Sequence, residues 1–318
     1  MKPAPLAAIT GGTGFVGLHL VPALARAGFR LRLLARHAPT HPALQDIPFE
    51  VVRGHLHDET ALATLVRGAD VVIHAAGLIK AHHRAAFLCT NQQGTARLAD
   101  TTRRDAPAAR FLLISSLAAR EPQLSPYAFS KKAAEDAALA AYRDAPSQIA
   151  ILRPPAIYGS WDKETLALFK ASQRKLVPIL SSGRAALIYA DDAAEAITAL
   201  AGPRFRPGCF ALADLQPEGY EMRDILLAAS QATGGNPRFF PLPASLLRLA
   251  GASSGLLGKT RRVPPIFTLG KAREILHPDW SVSTQELLAR EIYTPKTGLE
   301  AGFAQTVAWY RQAGWLRG

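Results

Sequence analysis

The chain reads as an α/β protein, a doubly wound parallel sheet with a smaller C-terminal lobe, and three observations predict this. Short apolar runs alternate with segments of helical length through the first half of the 318 residues. A glycine-rich turn follows the first of those runs directly and opens the first helical segment. Beyond residue 155 the rhythm degrades into Pro-rich and Gly-rich stretches, near Pro203 to Gly208 and Pro241 to Pro243, between shorter helical patterns.

Taken in order, the apolar runs predict six strands, at residues 6–10, 31–35, 49–53, 71–74, 111–114 and 149–152. Helical patterns begin near Phe15, Asp58, Arg84, Pro126 and Lys163. Helices between successive strands supply the long crossovers that parallel strands require. Residues 1–155 are therefore expected to form the sheet domain. Residues 156–318 are expected to form mainly a substrate-binding lobe, with segments near 185–200 returning to the sheet. Open α/β sheets take ligands beyond the carboxyl ends of their strands, so such a lobe would supply the other wall of a cleft.

Composition narrows the class. Apolar residues make up 48% and charged residues 19% of the chain, as in globular proteins. Cys89 and Cys209 are too few for a disulfide framework and form no CxxC pair, which points to a reducing cytoplasm and no structural metal. The first five residues run straight into a strand, so no signal peptide is expected. The longest apolar segment, around Leu246, is interrupted by Arg248, and at most peripheral membrane contact follows. The net charge of +12 favours anionic ligands, but no run of five or six Lys/Arg occurs and aromatics are not interleaved with basic residues. Nucleic acid is not the expected partner. The expected partner is a small-molecule substrate, bound by a monomer or homodimer.

The turn Thr10-Gly11-Gly12-Thr13-Gly14-Phe15-Val16-Gly17 lies between strand and helix, the context of a dinucleotide fingerprint in a Rossmann fold. Gly11 permits the tight turn, Gly14 lets the backbone approach a pyrophosphate, and Gly17 allows close packing of the helix on the sheet. The helix N-terminus adds partial positive charge. The second strand ends Leu33-Leu34-Ala35-Arg36-His37, where an NAD-selective site usually offers Asp or Glu to the ribose. Arg36 instead suits a 2′-phosphate, with His37 or Arg32 adding charge nearby. NADP(H) is the expected cofactor, with NAD(H) the alternative.

Ser125-Pro126-Tyr127-Ala128-Phe129-Ser130-Lys131 opens an Ala-rich helix, placing Tyr127 and Lys131 at i and i+4 on one face. A phenol ionises near pH 10 and needs a neighbouring cation to exchange a proton near neutrality. Lys131 is placed to be that cation. Ser116, at the end of the fifth strand in Ile114-Ser115-Ser116, faces the same sheet edge and would orient the reacting oxygen.

Together, TGGTGFVG, the strand-terminal Ile-Ser-Ser and YxxxK resemble the short-chain dehydrogenase/reductase superfamily. Its extended or atypical branch is the better match: NAD-dependent epimerase/dehydratase-like, 3β-hydroxysteroid dehydrogenase-like or bacterial keto-sphingolipid reductase-like. Further segments similar to that branch are Ala75-Ala76-Gly77, Asn91-Gln92-Gln93-Gly94-Thr95, Arg153-Pro154-Pro155-Ala156-Ile157-Tyr158-Gly159 and Ile188-Tyr189-Ala190-Asp191-Asp192. The resemblance implies Tyr127 as acid/base, Lys131 on the nicotinamide ribose and Tyr127, Ser116 on the substrate oxygen and Asn91 in support. It also implies coenzyme contacts from Leu56, Ala75, Ala76, Gly77 and Pro154, and a substrate contact from Ile157. Lys80, His82 and His83 follow the fourth strand near the expected nicotinamide end, where they read either as lining the substrate entrance or as solvated loop residues.

Two departures from the branch bear on function. Gly54-His55-Leu56 stands where Gly-Asp-Leu is common, removing an acid near adenine. The interval from Ser116 to Tyr127 is shorter than in nucleotide-sugar epimerases, which moves weight toward simple reductases. The expected reaction is hydride transfer between nicotinamide and a carbonyl/alcohol pair, with a lipid-like ketone as the favoured substrate. A nucleotide-sugar epimerase, dehydratase or reductase and a non-catalytic NADP(H)-binding subunit are the alternatives. His37, His41, His55 and His57 lie on different loops, read as solvated rather than metal-binding. Leu246 to Leu257 with Lys259-Thr260-Arg261-Arg262 reads either as a membrane-facing apolar lobe or as an amphipathic core helix. His277-Pro278-Asp279-Trp280 and Val307-Ala308-Trp309-Tyr310 are expected to be packing segments.

Overall fold

A computed structural model describes residues 3–258 and 267–317. Six strands, β1 (Leu6–Thr10), β2 (Arg30–Ala35), β3 (Glu50–Arg53), β4 (Val71–His74), β5 (Arg110–Ile114) and β6 (Ile149–Arg153), pair in parallel in the order β3-β2-β1-β4-β5-β6. The near-continuous apolar runs of β1, β4 and β5 are buried on both faces, as parallel strands covered by helices on two sides must be. One face packs Leu34, Val72, Phe111, Leu113 and Ile151 against Leu62, Leu65, Leu98 and Tyr142 from the covering helices. The chain reverses its winding between β1 and β4. That reversal opens a crevice at their carboxyl ends.

Gly208–Ala211 adds a seventh strand beside β6, where the sequence predicts six. It lies at the sheet edge and is half exposed, so it lacks the continuous apolar run that marks the interior strands.

Two compact units divide the chain. The first holds residues 3–153 with Ala194–Phe210 and Leu288–Thr294. The second draws on 154–193, 211–287 and 295–317. Its strands are short: Ala156–Tyr158 pairs with Leu187–Tyr189, Leu176–Ile179 with Arg238–Pro241, and Arg184–Ala185 lies between Tyr220–Glu221 and Asp279–Trp280. An aromatic core of Tyr158, Phe169, Tyr189, Phe303 and Tyr310 holds these pieces together. Tyr310 comes from the C-terminal helix Leu299–Gln312, and Trp280 donates from its indole to the Glu274 carbonyl, so both tail motifs are packing segments. The helix expected near Lys163 begins at Leu166, because the Asp162 carboxylate accepts from Glu164 N, Thr165 N and Thr165 Oγ1 just before it. In helix Ala244–Gly258, Leu247 is buried while Leu246 and Leu249 are exposed. The basic segment Lys259-Thr260-Arg261-Arg262 lies outside the described residues.

Helix α1 (Phe15–Arg26) starts at the glycine turn, with Gly14 as its N-cap and no acidic residue in its first turn. Gly11 has φ +77°, and a Cβ there would lie 2.5 Å from the Ala76 nitrogen. A Cβ on Gly17 would lie 2.2 Å from the Gly11 oxygen and 2.5 Å from the Gly12 carbonyl carbon. The close approach at Gly17 is thus to the turn's own backbone, where the sequence suggests packing on the sheet. Because backbone cannot swing aside, Gly17→Ala should cost about 1–3 kcal/mol. The expected result is a lower urea midpoint followed by circular dichroism; an unchanged midpoint would show that the turn yields freely.

Candidate active site

Three segments at the carboxyl ends of β1, β4 and β5 meet in the first unit, and each is placed by its own local chemistry. Thr10, the last residue of β1, lies opposite His74, the last residue of β4. Thr10 Oγ1 is 2.6 Å from His74 Nδ1, and His74 Nε2 is 2.9 Å from Thr95 Oγ1. The Thr95 hydroxyl donates to the Asn91 carbonyl, so it accepts from His74 Nε2–H. His74 Nδ1 then accepts from the Thr10 hydroxyl, whose oxygen accepts from Ala76 N at 3.3 Å. The donors fix one tautomer. Burial, reinforced by the Lys131 cation, holds the imidazole pKa down to about 3, so the ring is neutral at physiological pH.

Asn91 sits in a π-helical turn, Leu88–Gln93, between helix α2 (Glu59–Val66) and strand β5 in sequence, where the sequence predicts one regular helix from Arg84. Its buried amide accepts from Leu78 N at 2.7 Å and donates to the Leu78 carbonyl at 3.0 Å and to Ser130 Oγ at 2.8 Å. Ser130 in turn donates to the Tyr127 carbonyl. Single-turn π-bulges of this kind recur at functional sites because they turn one side chain out of the helical register.

After the π-helical turn comes helix α3 (Gly94–Asp105), and after β5 comes α4 (Pro126–Ala141). Ser125 caps α4, accepting from Ala128 N at 3.0 Å, and Pro126 occupies the first helical position. This places Tyr127, half-buried beside the Phe87 ring, in the first turn and Lys131 one turn later. Lys131 is 7% exposed and donates from Nζ to the Ile114 carbonyl at 2.8 Å. Burial lowers its pKa to about 8, against the opposing pull of Glu135. Two residues beyond Ile114, Ser116 Oγ accepts from Ala118 N at 3.2 Å, which leaves its hydroxyl proton to be donated. A Cβ on Gly77 would lie 3.2 Å from Asn91 Oδ1 and 4.0 Å from Lys131 Nζ. The loop Ala75-Ala76-Gly77 therefore touches the glycine turn at one end and the Lys131 and Asn91 groups at the other.

Some expected contacts are placed differently. Leu56 packs its side chain in the core against Gly94, so only its backbone is left to meet a ligand. Arg32 bonds Glu50 at 2.7 Å and the carbonyls of Thr64, Leu65 and Arg67, closing the end of α2. Its charge is committed there and does not assist Arg36, which is exposed after β2. Lys80 is half-buried in the loop after β4. His57 lies between Cys89 Sγ at 3.4 Å and Arg97 Nη1 at 2.5 Å. Pro154 is buried directly after β6, and Ile157 belongs to the short strand Ala156–Tyr158 of the second unit. Glu135, Arg153, His74, Thr95 and Ser130 escaped sequence reasoning. A glutamate at Lys131 plus four, on the same helical face, was the available signal for the first of them.

The model of the NAD dependent epimerase/dehydratase family matches residues 7–204. The chain belongs to this family. A ceramide reductase of Caulobacter vibrioides (strain NA1000 / CB15N) is 46% identical over 311 residues, covering 97% of this chain and 95% of that protein. The crystal structure of gox2253 superposes with a TM-score of 0.77 at 22% identity, covering 99% of this chain and 100% of that one. The dTDP-glucose 4,6-dehydratase DesIV of Streptomyces venezuelae, with NAD and TYD bound, gives 0.73 at 22% identity, over 98% and 99%. These two share the fold. The present family member is an NAD(P)-dependent oxidoreductase of the extended short-chain dehydrogenase/reductase kind. No helix among the described residues is long and apolar enough to cross a membrane.

The neutral His74 makes folding pH-dependent. An unfolded histidine takes up a proton as pH falls through 6.5, whereas the folded ring refuses it until about pH 3. The unfolded state binds more protons across that window, so the stability His74 contributes above pH 6.5 is lost progressively as pH falls toward 3. His74→Asn removes the titration, and from pH 7 to pH 5 it should lose about 2 kcal/mol less stability than the parent protein. Urea midpoints at the two pH values check this; parallel losses would contradict it.

Proposed function

We propose that this enzyme is an NADPH-dependent reductase of a lipid-like ketone of the ceramide class. The observation that carries the substrate class is the similarity to a ceramide reductase along nearly the whole chain. Among the groups of a ceramide-type lipid, a ketone accepts hydride from a nicotinamide, whereas an amide or a hydroxyl does not. When bound, the coenzyme supplies that hydride.

The residues fit such a coenzyme. A Cβ on Gly14 would meet nothing but the Gly11 oxygen within 4 Å, so the backbone of the turn is open to a pyrophosphate. The N-terminus of α1 behind it carries no acidic side chain to oppose an anion. In this reading Gly11, Gly12, Thr13, Gly14, Phe15, Val16 and Gly17 cradle the phosphates, and Ala75, Ala76, Gly77, Pro154 and the Leu56 backbone line the coenzyme. Arg36 takes the 2′-phosphate through its planar fork.

Ser116 donates a hydrogen bond to the carbonyl oxygen of the substrate, and Tyr127 alone transfers a proton to that oxygen as the alcohol forms. Lys131 binds the nicotinamide ribose and makes the Tyr127 phenol more acidic by its charge. Asn91 holds the helix start through Ser130 and the loop at Leu78. Lys80 and Ile157 contact substrate. The lipid presented in mixed micelles is compared with sterol and nucleotide-sugar substrates by following NADPH absorbance.

The lipid ketone should be turned over at least tenfold faster than the others; nucleotide-sugar turnover alone would overturn the substrate class. Tyr127→Phe should lose about 10²-fold or more in kcat while NADPH affinity stays within twofold, whereas undiminished turnover would remove Tyr127 from the mechanism. Arg36→Ala should raise Kd for NADPH about tenfold and leave Kd for NADH within twofold. Equal changes for both coenzymes would show that Arg36 does not read the 2′-phosphate.

A further inference from the structure

Glu135 is a carboxylate 2% exposed to solvent, one helical turn beyond Lys131 as Lys131 is one turn beyond Tyr127. Its oxygens accept from Ser115 Oγ at 2.5 Å, Arg153 Nε at 2.9 Å and Arg153 Nη2 at 2.6 Å. Ser115 precedes Ser116, and Arg153 precedes Pro154. Lys131, on the same helix, holds the carbonyl of Ile114, the residue just before Ser115. Helix α4 is thereby pinned to two successive residues of the β5 end and to the last residue of β6.

We propose that Glu135 is a positioning residue: it sets α4 against the ends of β5 and β6, and its negative charge keeps Lys131 protonated on the face shared with Tyr127. The inference rests on the roles given above to Tyr127 and Lys131. Stability is a poor explanation for this ion pair, because apolar residues of equal volume commonly stabilise a core as well as a buried pair does. Registration of three chain segments and retention of one charge are what an apolar replacement would not supply.

The charged surroundings of Lys131 support this. Burial depresses its pKa to about 8, and Glu135 is the group that opposes the fall. His74, reaching it from β4, is neutral, and Asn91 from the π-helical turn carries no charge. Arg153 from β6 is held by Glu135 itself. Cations on other elements packed against α4 are turned to different partners: Arg84 lies over the Phe129 ring, Arg103 over Tyr142, and Arg97 bonds His57. Arg120, on the short turn after Ser116, is half-buried. Without Glu135 the lysine would release its proton at a lower pH, and a neutral amine no longer makes the phenol more acidic.

The test uses the full chain with NADPH and the ketone substrate. Glu135→Gln combined with Arg153→Met removes both charges together, so neither is stranded in the interior. The alkaline limb of the kcat profile for ketone reduction should move to lower pH by about one unit, with Kd for NADPH within twofold of the parent. An unmoved limb overturns the inference. Glu135→Asp retains the charge with a shorter reach: its limb should stay at the parental pH while kcat falls severalfold, and a limb displaced toward lower pH overturns the inference even if the neutral variant does not fold. The two possible failures are separable. An unmoved limb with an inactive Tyr127→Phe removes only the part given to Glu135, whereas an active Tyr127→Phe removes the catalytic reading beneath it.

Discussion

The ammonium of Lys131 is taken almost wholly out of water, and much of the first unit is arranged around that fact. Desolvating a cation is costly unless its hydrogens find acceptors and its charge finds a counterpart. The Ile114 carbonyl accepts one hydrogen at 2.8 Å, and Glu135 supplies the negative charge. The same cation discourages protonation of His74, which is then free to serve as a neutral strut between Thr10 and Thr95. A glycine at position 77 follows as well, since a side chain there would crowd the Asn91 amide. One buried charge thus bears on a strand end, a helix and the protonation of His74.

These constraints join the two ends of the candidate site without a break. The glycine turn contacts Ala75 and Ala76, the next residue of that loop approaches Asn91, and Asn91 reaches the start of α4 through Ser130. The links through Asn91 and Ser130 are hydrogen bonds of buried side chains, and an unmade hydrogen bond there is expensive. Such networks rigidify the elements they connect. Rigid placement is what acid/base chemistry needs, because the proton donor has to lie within hydrogen-bond reach of its acceptor.

Much of this was legible in the residues themselves. The alternation of apolar runs and helical patterns gives the parallel sheet, because strands buried on both faces cannot show polar alternation. The Thr10 to Gly17 segment and the Tyr127 and Lys131 pair carry local signals, a turn geometry and a helical spacing, that survive without knowledge of tertiary contacts. The partners of Glu135 were not legible. Ser115 and Arg153 come from two other strands, and only the parallel pairing of β5 with β6 brings them together. Arg32, expected with His37 as a source of nearby charge, instead meets Glu50 and the carbonyls at the end of α2, partners that come from other elements. Leu56, expected as a coenzyme contact, has its side chain in the core, packed against a helix that lies far from it in sequence. The edge strand Gly208–Ala211 was hidden by its mixed composition.

The π-helical turn at Leu88–Gln93 has a consequence for how this enzyme can diverge. Each residue of an α-helix advances the side-chain direction by about 100°. Deleting one residue between Arg84 and Asp105, or relaxing the bulge to regular helix, would swing either Asn91 or Thr95 away from its partner. Insertions and deletions should therefore be rare in that stretch among descendants of this gene, while the loop over residues 38–40 can lengthen or shorten at less cost.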